Sequence, residues 1–281
     1  MTDKRVREKT LVQKIAENKG VQSASTFVLP VLFGILLFSL WESGALHVLL
    51  NTDTFTLPLP DRIFTIMSDN RDKILSNVGS TIAVALIGLL AGSVIGYGIA
   101  VFAALFKTWG AAGLSIVAAF NAVPIVALAP VMTNLSKDIS DDANTRSMVA
   151  KILVVMIVTI ANMSFNAFRG LTELKPFAED LMSSYAANRG VTLWKLRVPN
   201  SIPYIFIALR VAVPSSVISA LVSEYFAEYI IGVGRQIREN IVLAQYSSAW
   251  AYIVTACLIG ITMYVILMMI EGIVLKRRAN A

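Results

Sequence analysis

Six stretches of the 281-residue chain are apolar for long enough to cross a bilayer. A hydrocarbon core of roughly 30 Å takes about 20 helical residues. The stretches fall at about 25–46, 77–105, 110–133, 148–168, 203–223 and 250–275. The first opens with Ser25 and Thr26 and runs on through FVLPVLFGILLFSLW. It is too long for a signal-peptide core and no small-residue cleavage pattern follows, so it reads as a retained span. Short polar stretches separate the spans, with two longer ones at 169–202 and 224–249. The pattern predicts an all-α, polytopic integral membrane bundle of about six transmembrane helices. A basic segment, 1–24, would precede a transmembrane domain, 25–281.

Composition narrows the class. Hydrophobic residues make up 56% and charged residues 15%, against about 25% charged in soluble domains. A soluble enzyme and a disordered chain are excluded. The single cysteine, Cys257, rules out a disulfide framework or a cysteine metal site. The single histidine, His47, argues against a His-ligated metal or a His-dependent triad. No metal site and no catalytic residue is expected.

The net charge of +6 is a topology signal rather than a nucleic-acid one. With a cytoplasmic N-terminus, residues 1–24, Lys107, 169–202 and 275–281 hold 15 of the 24 Lys and Arg. The opposite side holds 7, and Lys151 and Arg210 fall at span ends. This bias puts both termini in the cytoplasm, in a multi-pass cell (inner or plasma) membrane protein. Residues 1–22 read equally as a basic amphipathic helix on the inner leaflet or as a solvated tail. Asp61, after Pro58 and Pro60, is a candidate N-cap for a short helix.

Within the spans, Gly88, Gly92, Gly96 and Ala100 recur at four-residue spacing and predict close helix contact. Pro124 and Pro130 interrupt the third span, which either kinks beside a pathway or simply bends in the bundle. Asn121, Asn162, Asn166, Ser216, Ser219 and Glu224 are the candidate pathway residues; each could also satisfy a neighbouring helix. No span has a central row of acids or arginines, and Glu224, Glu228 and Glu271 fall near span ends. Ion coupling usually needs such groups, and the lack of buried positive charge disfavours stripping an anion inside the membrane. No P-loop is present to hydrolyse nucleotide. If ATP drives transport, a separate subunit hydrolyses it.

Segment 169–202 is the most informative. Pro176 suits the first turn of a helix, with Glu179 and Asp180 at its positive end. Phe177, Leu181 and Tyr185 form an apolar stripe. Asn188 can cap a second helix holding Leu193, Trp194 and Leu196, stopped by Pro199. Such a hairpin is either a docking element for another protein or an interfacial helix on lipid headgroups.

This segment resembles the cytoplasmic EAA loop of permease subunits of ATP-binding-cassette importers, specifically the nitrate/sulfonate/taurine branch. That branch also includes bicarbonate, pyrimidine-precursor and riboflavin-type permeases. Setting the family's closing proline on Pro199 places its glycine on Ala186 and its Glu-Ala-Ala triplet on Asp180, Leu181 and Met182. Gly190 is four residues out of that register. RVPNSIPYIFIALRVA, FNAVPIVALAPV, the Leu57–Pro60 turn, Gly232-Val233-Gly234 and Glu271 also fit, so the likeness covers about 30–281.

The resemblance implies a type I importer permease fold in which two permease copies form the pathway, a homodimer being expected and a heterodimer left open. Two ATPase subunits would bind ATP and Mg, with no cofactor in this chain. Phe177, Asp180, Leu181, Met182, Tyr185, Ala186, Trp194 and Pro199 would meet them. A periplasmic or extracellular substrate-binding protein would deliver a small polar solute. The lipid bilayer is the remaining partner, and no nucleic acid is involved. The alternative is a self-sufficient secondary transporter or channel, which predicts inverted repeats and central ionisable residues.

Overall fold

The computed structural model describes residues 19–227 and 231–279. Side chains are described throughout these except for 19–27, Lys107, Thr108, Ala111, Ala118, Phe120, Asn121 and 277–279. The expectations for residues 1–18, Glu228 and the Asn121 side chain therefore lie outside the described residues. Among the described residues there is no strand.

The chain divides into two compact units, 1–65 and 66–281. In the first, α1 (Lys19–Glu42) is apolar over its Val28–Glu42 stretch and is followed by the short α2 (Ala45–Leu50). Gly44, in the left-handed conformation at φ 76°, makes the turn between them. Trp41 Nε1 donates to Pro58 O at 3.0 Å, and the His47 ring lies 2.6 Å from Leu57 O. The lone histidine thus braces a turn. Helix α3 (Pro60–Asp69) begins at Pro60, so Asp61 occupies its first turn and is not the N-cap. The fixed φ of proline suits a first helical position.

The second unit is a bundle of long helices: α4 (Arg71–Leu105), α7 (Ala143–Thr172), α10 (Val198–Phe226) and α12 (Tyr246–Ala279). By length and composition, four helices can cross a membrane: Arg71–Leu105, Ala143–Thr172, Arg189–Phe226 and Tyr246–Lys276. The stretches Val28–Glu42 and Ile125–Leu135 are shorter apolar helices. The glycine stripe of α4 lies against α7. A Cβ on Gly88 would come 2.5 Å from Val155 Cβ, one on Gly92 2.6 Å from Thr159 Cβ, and one on Gly96 2.7 Å from Ile160 O. Hydrogen in place of a side chain lets the backbones touch, which is how helices gain packing where lipid offers no hydrophobic drive. Gly170 of α7 does the same against Ser201 and Tyr204 of α10. One core cluster gathers Val84, Leu89, Val155, Val213 and Val217, and another gathers Ala100, Met163, Ala167, Leu193 and Ala208.

The third apolar stretch is two helices, α5 (Lys107–Asn121) and α6 (Ile125–Leu135). Pro124 sits extended between them at ψ 128°, and its carbonyl accepts from Ala127 and Leu128. Proline disfavours helix at the residue before it and lacks a donor, so the ladder stops. Helix α7 starts five residues before the apolar stretch at 148, because Asp142 caps it by accepting from Asn144 N and Thr145 N. The 224–249 segment contains a further helix, α11 (Val233–Val242), at about 1.5 Å per residue too short to cross a bilayer.

Candidate functional site

The 169–202 loop is a helical hairpin joining α7 to α10. Its first limb, α8 (Ala178–Ser184), starts later than Pro176 predicts. Pro176 lies in the turn before it, and Phe177 is the N-cap at φ 63°, a left-handed conformation uncommon for an aromatic residue. Glu179 and Asp180 occupy the first turn. The helix ends in a Schellman arrangement, in which Ala186 N donates to Ser183 O (2.9 Å) and Ala187 N to Met182 O (3.0 Å). Ala186 is left-handed at φ 50°, the conformation for which glycine is the usual residue. The register that equates Ala186 with the family glycine thus meets a backbone suited to glycine.

Asn188 caps α9 (Arg189–Thr192) by accepting from Val191 N at 2.9 Å. Pro199 does not stop the helix. A wide turn at Leu193–Arg197 with i→i+5 bonding leads straight into α10, and Pro199 falls in the first turn of α10.

The stripe of apolar residues faces outward. Phe177 is 81% exposed, Leu181 58%, Tyr185 77% and Trp194 71%, while Met182 is half-buried. Arg197 ties the loop to the bundle. It donates to Ala104 O in the last turn of α4 (3.0 Å) and to Glu179 Oε1 of α8 (2.5 Å). A cleft of about 570 Å³ lies beside this joint, lined among others by Phe106, Trp109, Glu179, Arg189 and Arg197. At the far root of the loop, Asn200 Nδ2 donates to Gly170 O and Glu173 O, closing the end of α7. Glu173 also pairs with Arg169, whose hydrogen bond holds its carboxyl below the ordinary value.

The candidate pathway residues separate into two sets. Asn162 and Asn166, one turn apart on α7, are half-buried, and their amides donate to Val158 O and Asn162 O. Ser216, Ser219 and Glu224 have no exposed surface in the chain. The two serines donate to Val213 O and Ser215 O of their own helix.

Glu224 is the centre of a polar cluster that the sequence does not reveal. Its Oε2 accepts from Thr81 Oγ1 (3.0 Å) and Gly234 N (2.8 Å). Lys151, 3% exposed, donates from Nζ to Ile231 O at 3.2 Å. Lys151 is therefore a buried positive charge in the third turn of α7, which corrects the expectation that the spans contain none. Arg210 and Glu271, also assigned to span ends, form a two-pronged ion pair between α10 and α12 at 2.8 and 2.6 Å. Among the described residues, no group of three or more His, Cys, Asp or Glu could hold a metal ion.

These apolar helices and the hairpin slung between two of them mark a polytopic membrane protein. Residues 92–280 match the family described as binding-protein-dependent transport system inner membrane component, and the chain belongs to that family. It is 25% identical over 254 residues to the formylaminopyrimidine transport permease protein ThiX of Halalkalibacterium halodurans, covering 89% of this chain and 95% of that one. Its fold is similar to a chain of the MetNI methionine ABC transporter in an inward-facing conformation. There the TM-score is 0.56 at 14% identity, over 70% of this chain and 95% of that one. It is similar too to a chain of an amino acid ABC transporter crystallised with histidines, with a TM-score of 0.58 at 15% identity over 73% and 96%. The chain is thus the permease component of an ABC importer, with the type I permease fold; its role is transport rather than catalysis.

Proposed function

We propose that this chain forms the solute pathway of the importer and is driven through its 169–202 loop by a separate ATPase. The observation that carries this reading is the hairpin itself. Four large apolar residues stand exposed on it (Phe177, Leu181, Tyr185 and Trp194), while its roots are bonded into α4, α7 and α10 through Arg197 and Asn200. An apolar tip on a rigid base can take up a partner's motion and pass it to the bundle. Two ATPase subunits that bind ATP and Mg would seat the loops of two permease copies, a homodimer. A substrate-binding protein on the outer face would deliver the solute. Both termini lie in the cytoplasm of a cell-membrane protein on this reading, supported by the 15-to-7 bias of Lys and Arg. Alternating access is then a rigid-body shift of bundles around the path.

Asn162 and Asn166 are the better pathway candidates, because they alone of the described set retain exposed surface. Ser216 and Ser219 bond their own helix, and Glu224 bonds Thr81 and Gly234. The solute is a small polar molecule, and the likeness to a formylaminopyrimidine permease favours a pyrimidine derivative. The test is Leu181→Asp with Tyr185→Asp. Truncating or charging a central apolar contact commonly costs about 1–2 kcal/mol each, so co-purification with the ATPase should fall tenfold or more. Undiminished co-purification would refute the docking role.

A further inference from the structure

The start of α11 is capped by other helices. Gly232 N donates to Asn77 Oδ1 (2.8 Å), Val233 N to Thr81 Oγ1 (2.9 Å) and Gly234 N to Glu224 Oε2 (2.8 Å). Such donors have no intrahelical partner, and the N-cap side chain ordinarily serves one of them. Here Gly232 is the N-cap and has no side chain. Two acceptors come from α4 and one from α10, and Lys151 of α7 holds the preceding carbonyl of Ile231. Thr81 and Glu224 are bonded to each other, so the caps act as one unit.

The glycines complete the fit. Gly232 takes φ 116°, and a Cβ on it would strike the Glu224 carboxyl. A Cβ on Gly234 would strike Leu221 O. A carboxyl with no exposed surface is costly to bury, and an apolar group of the same shape often packs at least as well. What the carboxyl adds is a directional bond to a backbone donor that has no partner within its own helix. Beyond this anchored start, α11 ends in Val242 and Leu243, which are 72% and 59% exposed.

We infer that Glu224 is a positioning residue that fixes α11 to the α4–α7–α10 bundle, so that α11 moves with that bundle and closes its own end of the pathway. The closure part rests on the pathway proposed above; the anchoring part does not. Freed from Glu224, α11 would lose its hold on the bundle and its end of the path would open.

The test uses the full chain in lipid nanodiscs. Hydrogen exchange over 233–242 is compared in wild type, Glu224→Ala, Glu224→Gln and Thr81→Val. Losing a bond to this buried acceptor should speed exchange about tenfold in Glu224→Ala, with α4 and α7 still protected. Glu224→Gln keeps a side-chain oxygen and should restore most of the protection. Thr81→Val, close to isosteric, should reproduce the loss even if Glu224→Ala does not fold. Unchanged exchange in Thr81→Val and in any folded Glu224→Ala would overturn the anchoring.

Closure is read in a Cys257→Ser background carrying Asn162→Cys. In sealed vesicles rather than nanodiscs, a membrane-impermeant methanethiosulfonate is applied at the α11 end. Faster labelling in Glu224→Ala or Thr81→Val than in wild type, with slow labelling restored by Glu224→Gln, supports closure. Equal rates in all of them would overturn it. If wild type fails to label from either side, Asn162 is not on the path. In that case the pathway reading fails, while the exchange result still decides the anchoring.

Discussion

Replacing Gly92 by alanine tests the α4–α7 seam on which the bundle is built. The new Cβ would lie 2.6 Å from Thr159 Cβ and 2.7 Å from Met156 O, whereas ordinary contact begins at 3.4 Å. The seam must therefore open by the difference between 2.6 and 3.4 Å, or 0.8 Å. Gly88 and Gly96 hold the same seam a turn away on either side, so the helix cannot tilt clear without losing those contacts. Overpacking of this kind costs about 1–3 kcal/mol, against a gain of about 1 kcal/mol from alanine's helix propensity. The net loss should be up to about 2 kcal/mol. Gly98, on the same helix, has nothing within 4 Å of its would-be Cβ. Gly98→Ala should therefore be neutral or stabilising by up to about 1 kcal/mol. Equilibrium unfolding in mixed micelles, with both variants measured side by side, gives the comparison. Equal stability of the two variants would refute the close-packed seam.

Other predictions concern the loop and the helix ends. Ala186→Gly relieves a left-handed alanine and should stabilise the hairpin by about 1 kcal/mol, seen as slower proteolysis within 178–190. Arg197→Ala removes the bonds to Ala104 O and Glu179, leaving α8 loosely held. Hydrogen exchange across 178–192 should rise severalfold while the ATP hydrolysed per solute carried increases. Asp142 caps α7, and its hydrogen bonds with Thr145 hold its carboxyl below the ordinary 3.8. Because the folded-state value is the lower one, this stabilisation is present above pH 3.8 and is lost as pH falls through the folded value. Exchange at Asn144 and Thr145 should quicken there in wild type, and in Asp142→Ala it should be fast at every pH.

The parts of the fold visible in the sequence are those written in hydropathy and proline. The apolar runs that become α4, α7, α10 and α12 are long and uninterrupted, and Pro124 marks the break between α5 and α6. Hydropathy misses polar helical turns. It therefore starts α7 at 148, although Asp142 caps it at Ala143, and it passes over the polar α11 altogether. Without those turns, Lys151 looks like a span end although it is buried in the bundle. The exposed loop residues were legible because their spacing is local. The cluster at α11 was not, because Thr81 and Glu224 are 143 residues apart and Asn77 and Gly232 are 155 apart. The Gly232-Val233-Gly234 turn stands out in the sequence, but glycine alone does not say what approaches it.

Transport by reconstituted vesicles puts the central claim to the most direct trial. Labelled formylaminopyrimidine is offered with the binding protein to vesicles holding this chain alone, this chain with the ATPase, or the Leu181→Asp, Tyr185→Asp variant with the ATPase. Accumulation should appear only in the second set and only with ATP, or with another pyrimidine if the first is not carried. Equal uptake by the chain alone, or by the variant, would contradict a pathway driven through the 169–202 loop.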